Sequence, residues 1–521
     1  MGDNKCSRDE CKLNVYQDEK CVLHCKKKSK YRDTDLQLYE DFNTALIDNI
    51  AEQLEESSDN EDAIIDKRSA IRFLHGESFQ AIFSNDEEMI SLASNAFFYT
   101  ILFEYIIFPQ GKPKNTFFYN KVIKKLKEIH FYHCKFNVSH LKLDNIKCFF
   151  QDCKFYEPWT LPNCIISEDE DNTIYQKCEF YDNVTNDRKS IINYDVSQFD
   201  YRCRFEKELS FSNVKFKKPL FYSARKNYLE DRGFIQILLF DNCIFEQPFQ
   251  LNNYQIDFFS STDTVFKNKS KFEFKNNEVK EFQLLNTNFQ SLVDCIGTKF
   301  QSFKVEKSIF EKFTGFEKCE FGEKENNSKE VVFQYATFLD FVNFRDAEFH
   351  KGLDLRNANF KELPNFLDVE IEFNDKSKNT NRETFRIIKH SFDSVGNTIE
   401  ANKFFADEMN EERRESKGFK KFILNLNYLI SNFGQSWIMP LLFIMYFLVL
   451  QYLVFCLIDN WQISNKSLQT IWVELNHTIH NFMPFKKFLV EGKEFISLFF
   501  LIIYSILIYN LVIAVKRITK R

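Results

Sequence analysis

Between Phe333 and Phe360 the chain reads FQYATFLDFVNFRDAEFHKGLDLRNANF, and a large apolar residue returns at Phe333, Phe338, Phe344, Phe349, Leu355 and Phe360. These steps of five and six suit neither regular structure. A helix advances about 100° per residue, so such steps scatter the rings around its circumference. In a flat strand an odd step flips each ring to the opposite face. The steps make sense if the backbone turns a corner after each short side, so that every side aims one large residue at a common axis. The residue two places earlier then points inward as well. Four sides close one coil, and coils stack at the strand spacing of roughly 4.8 Å.

Related tracts begin near Phe131. Phe274, Val279, Leu284 and Phe289, then Cys295, Phe300, Val305 and Phe310, keep a strict five. Polar insertions such as ISEDEDNTIYQK, NVTNDRKS and GEKENNSKE interrupt the beat. Self-similarity over so long a stretch predicts a solenoid, with Phe filling the axis. The chain holds 62 Phe in 521 residues.

The segments RDAEF, RNANF, QYATF and KCEF resemble the pentapeptide-repeat family over roughly the span from Phe131 to Phe360. The resemblance implies a right-handed quadrilateral β-helix of about nine to eleven coils. The expected class is therefore mainly β, with a small N-terminal zinc knuckle, helical flanks and a C-terminal two-helix transmembrane hairpin. Expected boundaries are 1–30 for the knuckle, 31–128 for a helical or mixed region, 129–365 for the solenoid, 380–432 for a helical linker or cap, and 436–521 for the hairpin and its basic tail.

Seven of the fourteen cysteines (Cys134, Cys148, Cys153, Cys178, Cys203, Cys243 and Cys319) stand two residues before a Phe. In the opening stretch the same slot holds Ala336, Val342, Ala347, Leu353 and Ala358. A slot that takes Cys, Ala or Val asks for a small apolar group, so these thiols are expected to be reduced packing residues. A disulfide framework better suits short secreted chains.

A second group opens the chain, in KCSRDECKLNVYQDEKCVLHC. Cys6, Cys11, Cys21 and His24 have the spacing C-x4-C-x9-C-x2-H, with Cys25 adjacent as a rival fourth ligand. Two pairs of soft ligands around a short loop suit tetrahedral Zn²⁺, and four protein ligands make a closed, structural site. So short a segment has too little core to hold itself without such a staple.

TDLQLYEDFNTALIDNIAEQLEE predicts an amphipathic helix with Leu38, Phe42, Leu46 and Ile50 along one side and Asp33 or Thr34 near its cap. AFFYTILFEYIIFP is too short to cross a bilayer and is expected to be a buried element leading into the repeats. After the repeats, Phe385, Ile388 and Phe392, then Ile399, Phe404 and Phe405, predict two helices parted near Gly396 and Asn397. This segment is similar to the linker between repeats and membrane in bacterial membrane-anchored pentapeptide-repeat proteins.

Two uncharged apolar runs, Ser436 to Ile458 and Phe495 to Val515, are long enough to span a membrane. Ser505 and Asn510 in the second are candidates to bond across to Gln451 in the first. Arg413, Arg414, Lys417, Lys420 and Lys421 precede the first run, and Lys516, Arg517, Lys520 and Arg521 follow the second. The connecting loop spreads Lys466, Lys486, Lys487 and Lys493 more thinly, so both termini are expected in the cytoplasm, at the inner membrane. The charged start, MGDNKCSRDECK, does not read as a secretory signal.

Catalytic motifs of the GxxxxGK[ST], G-x-S-x-G and H-E-x-x-H kinds are not found. His477 and His480 read as a surface pair, and Glu411 and Glu412 as a solvated helix face. A formal net charge of −6 gives no footprint for nucleic acid. Soluble members of the resembled family that mimic DNA need an extended acidic face, whereas here lysines interleave with the acids. The expected function is non-enzymatic: a scaffold tethered by lipid-embedded helices that presents a protein partner. The alternative is a channel-like homo-oligomer whose loop re-enters the bilayer, although that loop lacks a TVGYG-type filter.

Overall fold

The computed structural model describes residues 5–8, 11, 13–27, 36–58, 66–84, 86–96, 100–109, 117–139, 141–165, 173–187, 191–223, 232–322, 331–371, 380–458, 473, 490 and 492–519. These residues form two compact units. One comprises 1–351, 357–362 and 367–374, and the other 352–356, 363–366 and 375–521.

The first unit contains a mainly β solenoid of about nine turns. Its strands lie in four sheets, and each strand pairs in parallel with its counterpart one coil away. The apolar segment upstream of the repeats supplies the first rung. Thr100–Glu104 pairs with Glu128–Tyr132, and Ile107–Phe108 with Lys135–Phe136.

Register explains the mixed steps of five and six. Glu278 pairs with Lys299, Thr337 with Asn359 and Glu348 with Glu370, offsets of 21 to 22 residues. Two kinds of corner alternate. Between Phe333 and Phe360 each five-residue step holds one left-handed residue, Tyr335, Asp346 or Asn357, with φ of 55°, 57° and 58°. The six-residue step takes an extra residue through a bend instead. Asn and Asp recur at the left-handed corners (Asn213, Asn242, Asp263 and Asn286 among them), because their short polar side chains tolerate that region. Each such corner donates its N–H to the next coil, as Asn286 does to the Glu306 carbonyl. Side chains add a ladder, with Asn242 Nδ2 donating to Asn213 Oδ1 at 2.7 Å and Asn286 Nδ2 to Asp263 Oδ1 at 2.6 Å.

The axis is filled by columns of rings. Phe216, Phe245, Phe266, Phe289, Phe310, Phe338 and Phe360 stack with centroids 4.5–5.0 Å apart, each close to parallel with the next. Phe108, Phe136, Phe155, Phe180 and Phe205 form a second column. The ring spacing is the strand spacing, so one geometric repeat satisfies both backbone and core. Adjacent columns meet edge to face, as Phe266 and Phe272 do at 78°. Each buried ring contributes on the order of 2–3 kcal/mol.

The small slot differs from its sequence reading in one respect. Cys243, Thr264, Thr287, Ser308, Ala336 and Ala358 occupy one column, so the slot takes small donors as readily as small apolar groups. Thr287 Oγ1 donates to the Ser261 carbonyl at 2.9 Å, and Cys243 Sγ to the Phe211 carbonyl at 3.5 Å. Every described cysteine is free. Burial pushes the Cys153, Cys178 and Cys203 thiols well up, which suits inert packing groups.

Helix Leu36–Ser58 buries Leu38, Phe42, Leu46 and Ile50 as its periodicity predicts, while the proposed cap residues Asp33 and Thr34 lie outside the described residues. Phe42 meets Phe108 edge to face, and Gln53 exchanges two 2.8 Å hydrogen bonds with the Leu102 backbone. The helix thus covers the first rung.

In the second unit, Thr380 and Thr384 hydroxyls accept from the backbone N–H groups of Leu353 and Leu355. Helix Arg382–Ser394 is capped by Asn381, and helix Thr398–Glu415 by Asn397, after a break at Gly396 with φ of 77°. Helices Gly418–Ser431, Ile438–Ile458 and Glu494–Thr519 follow. The last two are long and apolar enough to cross a membrane. They meet through Ile444 and Leu507, with Ile430 of the preceding helix completing the cluster.

Candidate metal centre

The opening segment makes an antiparallel bridge between Lys5 and Asn14, followed by a separate tight hairpin closed by a bridge between Gln17 and Lys20. Its tip places Asp18 and Glu19 at φ of 48° and 60°, the two left-handed residues that a tight two-residue hairpin requires. A second turn follows, in which the N–H groups of His24 and Cys25 both donate to the Cys21 carbonyl. This turn decides between the two candidate fourth ligands. It brings His24 Nδ1 to 3.3 Å from Cys21 Sγ and 3.5 Å from Cys6 Sγ. Cys25 instead directs its Sγ to the Val22 carbonyl at 3.6 Å.

Cys11 Sγ lies 3.7 Å from Cys21 Sγ, and the ligand atoms of Cys6, Cys11, Cys21 and His24 all fall within 4.8 Å of one another. These four residues therefore form a group able to hold a metal ion. A tetrahedral ion with bonds of about 2.3 Å to sulfur and about 2.0–2.1 Å to nitrogen places its ligands about 3.5–3.8 Å apart. The Cys6–His24 and Cys11–Cys21 separations, 3.5 and 3.7 Å, fit that figure, and Cys21–His24 at 3.3 Å is slightly shorter. Cys6 and Cys21 are buried, and Cys11 and His24 half-buried.

Electrostatics point the same way. Burial pulls the His24 imidazole down to about 4, leaving it neutral with a lone pair to give. The Glu104 backbone acts against that shift without reversing it. Burial pushes the Cys21 thiol up to about 12 and raises Cys11 as well. At Cys6 burial raises the thiol too, but backbone hydrogen bonds from Cys21 and Arg8 outweigh it and the net shift is downward. Three crowded thiols cannot all ionise unaided, and a bound cation supplies the compensating charge.

The hairpin is tied to the first rung by residues that carry no sequence signal. Ile107 N–H donates to the Leu23 carbonyl, and the Arg8 guanidinium sits 3.7 Å above the Tyr105 ring. The buried Lys27 ammonium donates to the Val22 and Leu23 carbonyls and faces the Phe42 ring at 5.1 Å. The Cys/His group thus stands at the solenoid's N-terminal end.

Other expectations are redrawn. Gln451 Oε1 accepts from Tyr504 Oη at 2.8 Å, whereas Ser505 and Asn510 Nδ2 bond within their own helix. Asn510 Oδ1 is reached by Ser431 at 3.2 Å. A tyrosine at an apolar position reads as packing in a sequence, so its hydroxyl is easily overlooked. Glu412 is buried, not solvated, and pairs with Arg382 and Lys420. His477, His480 and the loop lysines 466, 486 and 487 lie outside the described residues, as do Lys520 and Arg521. No family model matches this chain, and no curated protein or solved structure does either.

Proposed function

We propose that this chain is a membrane-anchored, non-enzymatic scaffold of the pentapeptide-repeat kind, its coils right-handed and four-sided. The observation that carries the reading is a solenoid whose axis is filled by ring columns, in a chain that also holds two apolar helices of spanning length. A packed axis leaves recognition to the outward residues. The lysines and arginines flanking the helices support a hairpin with both ends in the cytoplasm at the inner membrane. Cys6, Cys11, Cys21 and His24 hold Zn²⁺ as a structural staple of the N-terminal cap. The channel alternative depends on the 459–489 loop, which is outside the described residues apart from Val473.

The test is crosslinking of the full chain in living cells, purification in mild detergent, and identification of what is attached. A distinct protein partner, lost when outward residues such as Tyr335 and Leu339 become serine, supports the scaffold. Self-crosslinks of fixed stoichiometry alone, with ion flux in liposomes, would replace it with the channel.

A further inference from the structure

Helix Gly418–Ser431 leaves a broad apolar face uncovered, which is unusual for a protein surrounded by water. Its polar side is also largely exposed and touches the preceding helix at a few points. Lys420 pairs with the buried Glu412 carboxylate, Arg413 reaches Asn425 Oδ1 at 3.5 Å, and the Arg413 guanidinium lies 4.0 Å above the Tyr428 ring. The opposite side carries Phe419, Phe422, Ile423, Leu426 and Leu429, which fall on a single helical stripe. That stripe is open: Phe419, Phe422 and Leu429 are 74%, 60% and 57% exposed. A water-soluble cap would bury such a stripe.

Three features say what covers the stripe. Ile430, at the C-terminal end of the stripe, packs with Ile444 and Leu507 of the two long apolar helices, so the stripe adjoins their own open surface, where Leu442, Met445 and Tyr446 are exposed. The connection to Ile438–Ile458 is a tight corner through Asn432, Phe433 and Gly434, all left-handed, and Arg517 of the last helix donates to the Phe433 carbonyl. At about 100° per residue, Lys420 and Lys421 both fall on the face opposite the stripe. An apolar face backed by a lysine-bearing polar face is the pattern of a helix lying at the boundary between headgroups and acyl chains.

We propose that Gly418–Ser431 is an interfacial helix, with Phe419, Phe422, Ile423, Leu426 and Leu429 immersed in the bilayer and its lysines at the level of lipid phosphates. This rests on the reading that the two following helices span. It adds a third, in-plane contact that fixes the angle at which helix Thr398–Glu415 leaves the membrane.

The test places photoreactive benzoylphenylalanine at position 422, 427 or 446 of the full chain, reconstituted in vesicles of phosphatidylcholine with a minor fraction of phosphatidylglycerol. After irradiation, lipid adducts are expected at 446 in the span and at 422, several-fold above the yield at 427 on the polar side. Lipid adducts at 446 with a chain-to-chain adduct at 422 would overturn the inference in favour of a second copy. Lipid at 446 with none at 422, or equal yields at 422 and 427, would also overturn it while leaving the spans intact. No lipid at 446 would sink the spanning reading and this inference together.

Discussion

In the solenoid, Phe266, Phe289 and Phe310 are sealed from solvent; in the helical unit Phe419, Phe495 and Phe499 are 74%, 83% and 58% exposed. The same side chain is thus core in one unit and surface in the other. The difference lies in what each backbone can offer as a partner. A coil stacks a ring on an identical ring one turn away, and the stack closes on itself. A lone apolar helix has no such neighbour, so its rings must find another apolar medium. The sign of hydrophobic burial is common to both; only the solvent differs.

Perturbing each region should expose that difference. The largest effect is expected at the metal group. Cys21→Ser, or removal of metal by a chelator, should unfold the opening hairpin, since a structural zinc site supplies on the order of 10 kcal/mol to so small a segment. Elemental analysis should find about one zinc per chain beforehand, and hydrogen exchange should show the Thr100–Glu104 rung losing protection afterwards. A hairpin that stays protected without metal would show that the cap holds itself.

Phe289→Ala removes a ring from the middle of the longest column and should cost about 3–5 kcal/mol in denaturant unfolding. Phe422→Ala should leave solenoid unfolding unmoved. Equal losses would break the comparison.

Asp407 probes the helical unit by pH. Burial raises its carboxyl from an ordinary 3.8 to about 6, with Lys403 opposing and Glu411 adding. The folded state therefore holds this proton more tightly than the unfolded chain. Its stabilising contribution is full below about pH 4 and is lost as pH rises through about 6. Asp407→Asn should remove that slope and stabilise the unit at neutral pH by up to about 2 kcal/mol, the side chain's partial exposure reducing the gain. Tm against pH in detergent would show it.

Tyr504→Phe deletes the bond to Gln451 and should cost about 1 kcal/mol, typical of a polar contact between apolar helices. A double-mutant cycle with Gln451→Leu isolates the coupling. Smallest of all, Cys243→Thr should change solenoid stability by less than about 1 kcal/mol, because Thr264 and Thr287 already fill that column. A large loss would mean that the thiol itself matters.

Much of this was legible in the chain. The returning Phe announced the columns, and the spacing of Cys6, Cys11, Cys21 and His24 announced the group that converges. Which corners are left-handed was not, because Tyr335, Asp346 and Asn357 show that three different residue types accept that backbone geometry. The first rung was hidden because Thr100–Glu104 precedes the recognisable repeat. Cys25 could be set aside only once the turn at Cys21 was seen. Helix Gly418–Ser431 is the sharpest case. The sequence yielded no separate expectation for it, and the open face of Phe419, Phe422 and Leu429 is seen only in the structure.

The pairing register sets a rule for how such a chain can change length. Lys299 pairs with Glu320 after 21 residues, but Glu320 pairs with Glu348 after 28, and Phe300, Phe321 and Phe349 still stack in order. The longer segment between Gly322 and Val331 leaves the pairing register of the rungs on either side unchanged. Gain or loss of a whole coil would likewise preserve every neighbour relation, whereas deleting five residues from a side would send each later ring to the wrong wall. Growth by duplication is therefore quantised, in steps of about 22 residues and about 4.8 Å of rod.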